Sequence, residues 1–149
     1  MGEFLETTYD KFVFKVKTGC FYSQDDFWAE VNGNTAVIGV SDFLQKAKGD
    51  VAFLETAEVG AEVKQGEEIG KIETIKATFG IASPVSGKIV EVNPELEASP
   101  FLINEDCYGK GWIYKLELSN FGNDKASLLD ADKYLDLMKG KIAEEMKTK

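Results

Sequence analysis

The sequence predicts a mainly β domain with short peripheral helices and a helix at its C-terminus, on three observations. Apolar and polar residues alternate in short runs such as Phe12-Val13-Phe14-Lys15-Val16-Lys17 and Gly111-Trp112-Ile113-Tyr114-Lys115-Leu116-Glu117-Leu118, and a period of two is that of a strand with one buried face. Residues 59–92 are dense in Gly, Val and Ile with frequent turn residues, which favours several short antiparallel strands. After residue 124 the period changes. Ala131, Tyr134, Leu135, Met138 and Ile142 recur at three- and four-residue spacing, the mark of an amphipathic helix.

In chain order, residues 1–11 read as a loosely held extension, and Phe12 to Lys17 as the opening strand. Phe27 to Val31 and Thr35 to Val40 flank Asn32-Gly33-Asn34. That is a hairpin signal, because Asn and Gly both tolerate positive φ. Ser41 to Gly49 reads as a short helix, with Asp42 capping its first turn, Gln45 completing the capping spacing and Gly49 ending it. Val51 to Glu55 is the next strand. Glu95 to Ile103 holds a helical turn interrupted by Pro100, and a turn over Asn120 to Asp124 follows the Gly111–Leu118 strand. Asp130 is the expected cap of the last helix, and Gly140 puts its end in question. Trp28 and Trp112 are expected as core anchors. With 149 residues and no linker or low-complexity tract, one domain is the economical reading. Residues 1–19 form its extension and opening strand, 20–126 its β-rich body, and 127–149 a C-terminal helix packed on that body.

Composition removes several functional classes. The chain is 44% hydrophobic and 29% charged, with a formal net charge of −9 and a pI near 4.6. Such a charge repels phosphate backbones, so no nucleic acid is expected as a partner. No apolar run is long enough to cross a membrane. The segment Met1-Gly2-Glu3-Phe4-Leu5-Glu6 reads neither as a secretory signal nor as a myristoylation motif, and a cytoplasmic protein is expected. The chain has two cysteines, Cys20 and Cys107, and no histidine. Zinc and copper sites are then hard to build, and the Ser-His and Cys-His arrangements of nucleophilic enzymes are absent. Free thiols suit that compartment. With no phosphate loop either, no catalytic residue and no metal ligand is assigned, and an enzyme is not expected.

The stretch from Gly66 to Gly87 carries the function. Two strand-like arms, Ile69 to Ile75 and Phe79 to Ala82, flank a break at Lys76-Ala77. A hairpin there pushes the Lys76 side chain out at its tip, where a lysine stem extends a flexible acyl arm from a rigid root. Pro84 and Gly87 then turn the chain into the strand Lys88 to Val92. Gly66, Gly70 and Gly87 read as turn and packing glycines.

Glu73-Thr74-Ile75-Lys76-Ala77, then Ser83-Pro84-Val85-Ser86-Gly87 and Glu91-Val92-Asn93, closely resemble the lipoylation region of glycine-cleavage H proteins. Gly39-Val40-Ser41-Asp42-Phe43, Gly49-Asp50-Val51, Asn104-Glu105-Asp106, Tyr108-Gly109-Lys110-Gly111-Trp112 and Leu128-Leu129-Asp130-Ala131 match too, in family order, over roughly residues 20–138. The resemblance implies a lipoyl/biotinyl-type barrel-sandwich hybrid whose 20–126 body is the carrier domain. It implies lipoate in amide linkage to Lys76, with Glu73 and Gly87 read by the lipoyl-attaching enzyme. It further implies that the arm shuttles an aminomethyl group between glycine decarboxylase and aminomethyltransferase, and that dihydrolipoyl dehydrogenase reoxidises it.

The chain also departs from that family. Where H proteins carry a His-Glu-Trp run, this chain has Asp26-Phe27-Trp28, and Gly80 stands where the family tends to have an aspartate. Nearby carboxylates stabilise a protonated amine, so these changes weaken the cradle for an aminomethyl cargo. Asp25, Asp26 and Phe27 are the candidate arm-cleft residues, with Asp25 and Asp26 in a position to compensate. Cys20, just ahead of them, is a candidate second thiol near the dithiolane. Three readings stay open: a glycine-cleavage carrier, an H-like lipoyl carrier in sulfur metabolism or lipoyl relay, and an unmodified binding module on the same scaffold.

Overall fold

The computed structural model describes residues 3–147, so residues 1–2 of the expected extension and 148–149 of the expected C-terminal helix lie outside the described residues. The chain opens with β1 (Phe4–Tyr9) and β2 (Phe12–Lys17), paired antiparallel as a two-stranded ribbon. Where a loose extension was expected over residues 1–11, residues 4–9 are therefore a strand. Asp10 takes a φ of 57° in the tight turn, a conformation that aspartate tolerates better than most residues. The sequence signal was weak because β1 buries neither face fully; its packing partner is the C-terminal helix, more than a hundred residues away.

The larger sheet takes the order β3-β4-β5-β11-β10-β7, built from β3 (Phe21–Tyr22), β4 (Phe27–Asn32), β5 (Thr35–Val40), β7 (Glu62–Val63), β10 (Gly87–Val92) and β11 (Tyr114–Leu118). The smaller sheet is β6-β8-β9, from β6 (Val51–Thr56), β8 (Glu68–Thr74) and β9 (Thr78–Ala82). Every pairing in these sheets is antiparallel. Their inner faces meet in one core, in which Ile38, Ile72, Ile81, Ile89 and Leu116 are almost wholly buried. The architecture is the expected mainly β barrel-sandwich hybrid. The Tyr114 hydroxyl ties the two sheets together, donating to the Ile69 carbonyl and accepting from the Ala57 amide at 2.8 Å.

Two local signals fell one residue from their expected places. In the β4–β5 hairpin Asn32 pairs with Thr35, so Gly33-Asn34 makes the turn and Gly33 alone takes positive φ, at 63°. That is the turn with glycine at its first central position, which also matches strand twist. The helix α1 (Asp42–Lys48) is capped by Ser41, whose side chain accepts from the Leu44 amide at 3.2 Å, and ends at Gly49 with φ 93°. Asp42, expected as the cap, instead accepts from the Lys15 amide at 2.9 Å and ties α1 to β2.

The remaining helices are short, α2 (Leu102–Glu105) and α3 (Phe121–Asp124), until α4 (Ala131–Lys147). Asp130 caps α4 through the Lys133 amide at 2.9 Å. Its apolar face buries Tyr134, Met138 and Ile142, and the Tyr134 ring stacks on Tyr22 with centroids 4.4 Å apart. The helix runs straight through Gly140, which costs about 1 kcal/mol relative to alanine and is outweighed by that buried face. Trp28 is 1% exposed and is a core anchor, whereas Trp112 is only half-buried against the core.

Candidate functional site

Lys76 stands in the turn between β8 and β9, an exposed side chain on a fixed root. The Thr74 side chain fixes it. Its hydroxyl donates to the Lys48 carbonyl at 2.7 Å and accepts the amides of Lys76 at 3.2 Å and Ala77 at 3.1 Å. The Ile75 amide donates to the Asp50 carbonyl at 3.1 Å, and Thr74 closes the turn through the Ala77 carbonyl at 2.8 Å. Every amide from Thr74 to Ala77 is thus committed, while the side chains of Ile75 and Lys76 point outward. Thr74 was not singled out by sequence, although a threonine two residues before a turn residue, able to bond the following backbone, was the available signal.

The stem of Lys76 lies along the end of α1. Its Nζ donates to the Ala47 carbonyl at 3.1 Å, and a Cβ added at Gly49 would stand 3.1 Å from Lys76 Cδ. A cation against the C-terminal carbonyls of a helix is favourably placed. Thr74→Val is expected to lower stability by about 1–2 kcal/mol and to speed hydrogen exchange at the Lys76 and Ala77 amides above the global rate. Native-state exchange by NMR measures this, and unchanged protection would contradict it.

Glu73 is exposed on β8, three residues before Lys76. Gly87 is buried at the start of β10, where an added Cβ would collide with the Glu117 carbonyl of β11. Gly87 therefore closes the β10–β11 pair, and the corner before it is tied by Asp124, which accepts the Ser86 amide at 2.6 Å.

Asp25, Asp26 and Phe27 do converge, on a surface cleft of about 430 Å3 that Lys48, Phe79 and Gly80 also line. Lys48 lies over the Phe79 ring at 5.5 Å, between α1 and the hairpin that carries Lys76. The three candidates are not equivalent. Asp26 is 6% exposed with φ 76°; its carboxylate accepts from Tyr134 Oη at 2.8 Å and Lys141 Nζ at 2.9 Å, and its carbonyl accepts the Ser41 amide at 2.9 Å. Burial pushes its carboxyl up from the usual range, while Lys141 and Tyr134 pull it back. Asp26 thus holds α4 to the start of α1. Phe27 is 3% exposed, and Asp25 alone of the three is exposed. Glu68 is a lining residue that sequence reading passed over: its carboxylate lies where a Cβ on Gly80 would stand, so it fills from β8 the space that position 80 leaves.

Cys20 is 3% exposed, and burial, reinforced by Glu30, pushes its thiol up to about 12. Cys107 is buried and pushed upward by the same cause. A buried protonated thiol is a poor nucleophile, so Cys20 is not a second thiol for an arm. A thiol-specific reagent at pH 8 is expected to label neither cysteine in the folded protein and both in denaturant; native labelling of Cys20 would contradict this.

Among the described residues no helix is long and apolar enough to cross a membrane, and no group of three metal-ligating side chains is brought together. Comparison with known proteins matches residues 20–141 to the family "Glycine cleavage H-protein". The chain is 43% identical over 127 residues to a probable glycine cleavage system H protein of Pyrococcus abyssi, covering 85% of this chain and 94% of that one. It is 50% identical over 113 residues to the glycine cleavage system H protein of Symbiobacterium thermophilum, covering 76% and 88%. The crystal structure of a glycine cleavage system H protein from Mycobacterium marinum superposes with a TM-score of 0.70 at 30% identity, covering 80% of this chain and 95% of that chain.

Proposed function

The chain belongs to the glycine cleavage H-protein family, whose members are carrier proteins, and on that premise we propose that it carries lipoate in amide linkage on Lys76 and shuttles a bound intermediate between partner enzymes. The observation that carries this reading is the contrast at the hairpin tip, where an exposed lysine stands on a turn whose backbone amides are all bonded. A swinging arm needs that combination, because a fixed root defines the radius over which the tip moves. The residues fit the group: the Nζ lies at the surface, and acylation leaves it one N–H for the Ala47 carbonyl it now meets. When bound, the lipoyl dithiolane supplies the redox-active sulfur on which cargo travels.

The protein's own residues present and guard the arm. Exposed Glu73 is the side chain that the lipoyl-attaching enzyme reads, with Gly87 holding the corner beside β11 in shape. Asp25 on the cleft rim and Glu68 over Gly80 supply negative charge where Phe27 and Gly80 remove two acidic positions, which favours cationic cargo and the glycine-cleavage version of the carrier. Glycine decarboxylase, aminomethyltransferase and dihydrolipoyl dehydrogenase are then the partners, in the cytoplasm. Phe27 favours a second reading, a lipoyl carrier in sulfur metabolism or lipoyl relay, because its buried ring puts no charge into the cleft.

The test is glycine-dependent exchange of labelled bicarbonate by purified glycine decarboxylase, with the lipoylated chain as acceptor. Exchange with the wild type and none with Lys76→Arg supports the first reading. A fully lipoylated chain that supports no exchange moves the assignment to the second, and a chain that takes up no lipoyl group moves it to an unmodified binding module.

A further inference from the structure

The smaller sheet ends at β6, and the outer edge of that strand is unpaired. The Thr74 amide donates to the Ala77 carbonyl across the β8–β9 turn, so strand alternation turns the backbone groups of Glu73 and Lys71 toward β6, where they meet Phe53 and Glu55. Leu54 and Thr56 therefore present their amides and carbonyls outward, and no hydrogen bond from another described residue reaches them. Both residues line a groove of about 460 Å3 whose far wall is Val92, Pro94, Leu96 and Pro100. That wall cannot complete the pairing. Its prolines have no N–H, and the Asn93 amide is already given to the Ile113 carbonyl. The register shift between Val51 and Phe53 confines the open edge to Phe53–Thr56, and neither proline nor lysine blunts it there.

An edge that offers main-chain bonds beside apolar side chains suits an extended strand added to the sheet. Charge selects the chemistry of that strand. Glu97 lines the groove and no basic residue does. Glu55 and Glu95 stand exposed beside it, with Lys71 facing Glu55 from β8. We propose that this groove docks an extended segment of a partner protein in which basic and apolar residues alternate. The apolar side chains lie toward Val92 and Leu96, the basic ones toward Glu55 and Glu97, and the backbone adds a strand to β6. A second copy of this chain, with the same net charge of −9, is repelled. The groove is placed for use with Lys76: Phe53 in its lining pairs with Glu73, on the strand that leads into the Lys76 turn. The cleft of Asp25 and Phe27 borders β9, at the opposite edge of the same sheet, so a segment docked on β6 leaves that cleft open. The inference goes beyond the carrier reading and does not depend on it, since the edge is open whether or not Lys76 is acylated.

The test titrates the full, unmodified chain with the end-capped peptide Lys-Val-Lys-Val-Lys-Val, followed by amide NMR and hydrogen exchange. The expected result is shifts and several-fold slower exchange at the Leu54 and Thr56 amides. The peptide Glu-Val-Glu-Val-Glu-Val binds about tenfold more weakly or worse, because like charges then face Glu55 and Glu97. Methylating one alternate set of peptide amides abolishes binding and methylating the other set leaves it, as strand addition demands. Glu55→Gln combined with Glu97→Gln weakens binding several-fold at an unchanged unfolding midpoint. No change at Leu54 and Thr56 with millimolar peptide would overturn the proposal, as would equal binding of the acidic peptide or equal loss with both methylated sets. Analytical ultracentrifugation of the chain alone is expected to show a monomer; a concentration-dependent dimer that protects the same two amides would assign the edge to a second copy and overturn the proposal as well.

Discussion

Trp28→Ala is expected to remove about 4 kcal/mol of stability, a large share of the roughly 5–15 kcal/mol that holds a domain folded. Trp28 sits on β4 with 1% of its surface exposed, so nearly all of its apolar area is buried on folding. One edge of its ring donates to the Cys107 carbonyl at 3.0 Å, and its face lies on Gly39 of β5, where an added Cβ would stand only 2.8 Å from the ring. Tyr108 packs on it with centroids 6.0 Å apart. Neighbours fitted this closely cannot collapse into the space left by alanine, so a cavity term adds to the lost transfer energy. The Cys107 carbonyl loses its indole donor as well. Thermal unfolding followed by circular dichroism is expected to show a midpoint lowered by roughly 8–16 °C; a shift of only a degree or two would mean that the β4–β5 face is not where the core is anchored.

Gly70→Ala is expected to cost about 3 kcal/mol through strain rather than through a cavity. Gly70 takes φ 146°, which L-residues rarely adopt, in β8 where the pairing with β9 shifts register between Glu68 and Lys71. A Cβ there would stand 2.5 Å from the Glu55 carbonyl of β6 and 2.8 Å from the Tyr114 hydroxyl. That hydroxyl bridges Ile69 and Ala57, so the clash falls on the tie between the two sheets. Urea unfolding checks the cost. Tyr114→Phe is the companion variant, expected to lose a smaller amount, about 1–2 kcal/mol, by leaving the Ala57 amide unpaired. A Gly70→Ala protein as stable as the wild type would show that β8 relaxes freely, which would undercut the fixed root on which Lys76 stands.

How much of this was legible in the sequence depended on whether the cause was local. The β4–β5 hairpin, the helix after Ser41, the hairpin around Lys76 and the apolar face of α4 are written in period and turn chemistry, and all were readable there. Their fine settings were not. Ser41 and Asp42 are both good caps, and Asp42 lost the role because the Lys15 amide of β2 claims its carboxylate. β1 was read as loose because the groups it packs on, α4 and the Tyr108 ring, arrive from far along the chain.

The site divided along the same line. Lys76 at a hairpin tip was readable from Ile75-Lys76-Ala77 between two strand-like arms. The fate of Asp26 was not, because the groups that bind it, Tyr134 and Lys141, lie 108 and 115 residues away. Glu68 over Gly80 was hidden for the same reason: a missing side chain on one strand was filled by a carboxylate from its neighbour, and only the pairing of β8 with β9 places them together.

The most direct test of the central claim is the intact mass of the protein purified from its native cell, with the modified residue mapped by peptide fragmentation. The account predicts a single lipoyl increment located on Lys76 and abolished by Lys76→Arg, while Lys71→Arg, on the β8 arm of the same hairpin, leaves it in place. An unmodified chain, under conditions that lipoylate a control H protein, would contradict it.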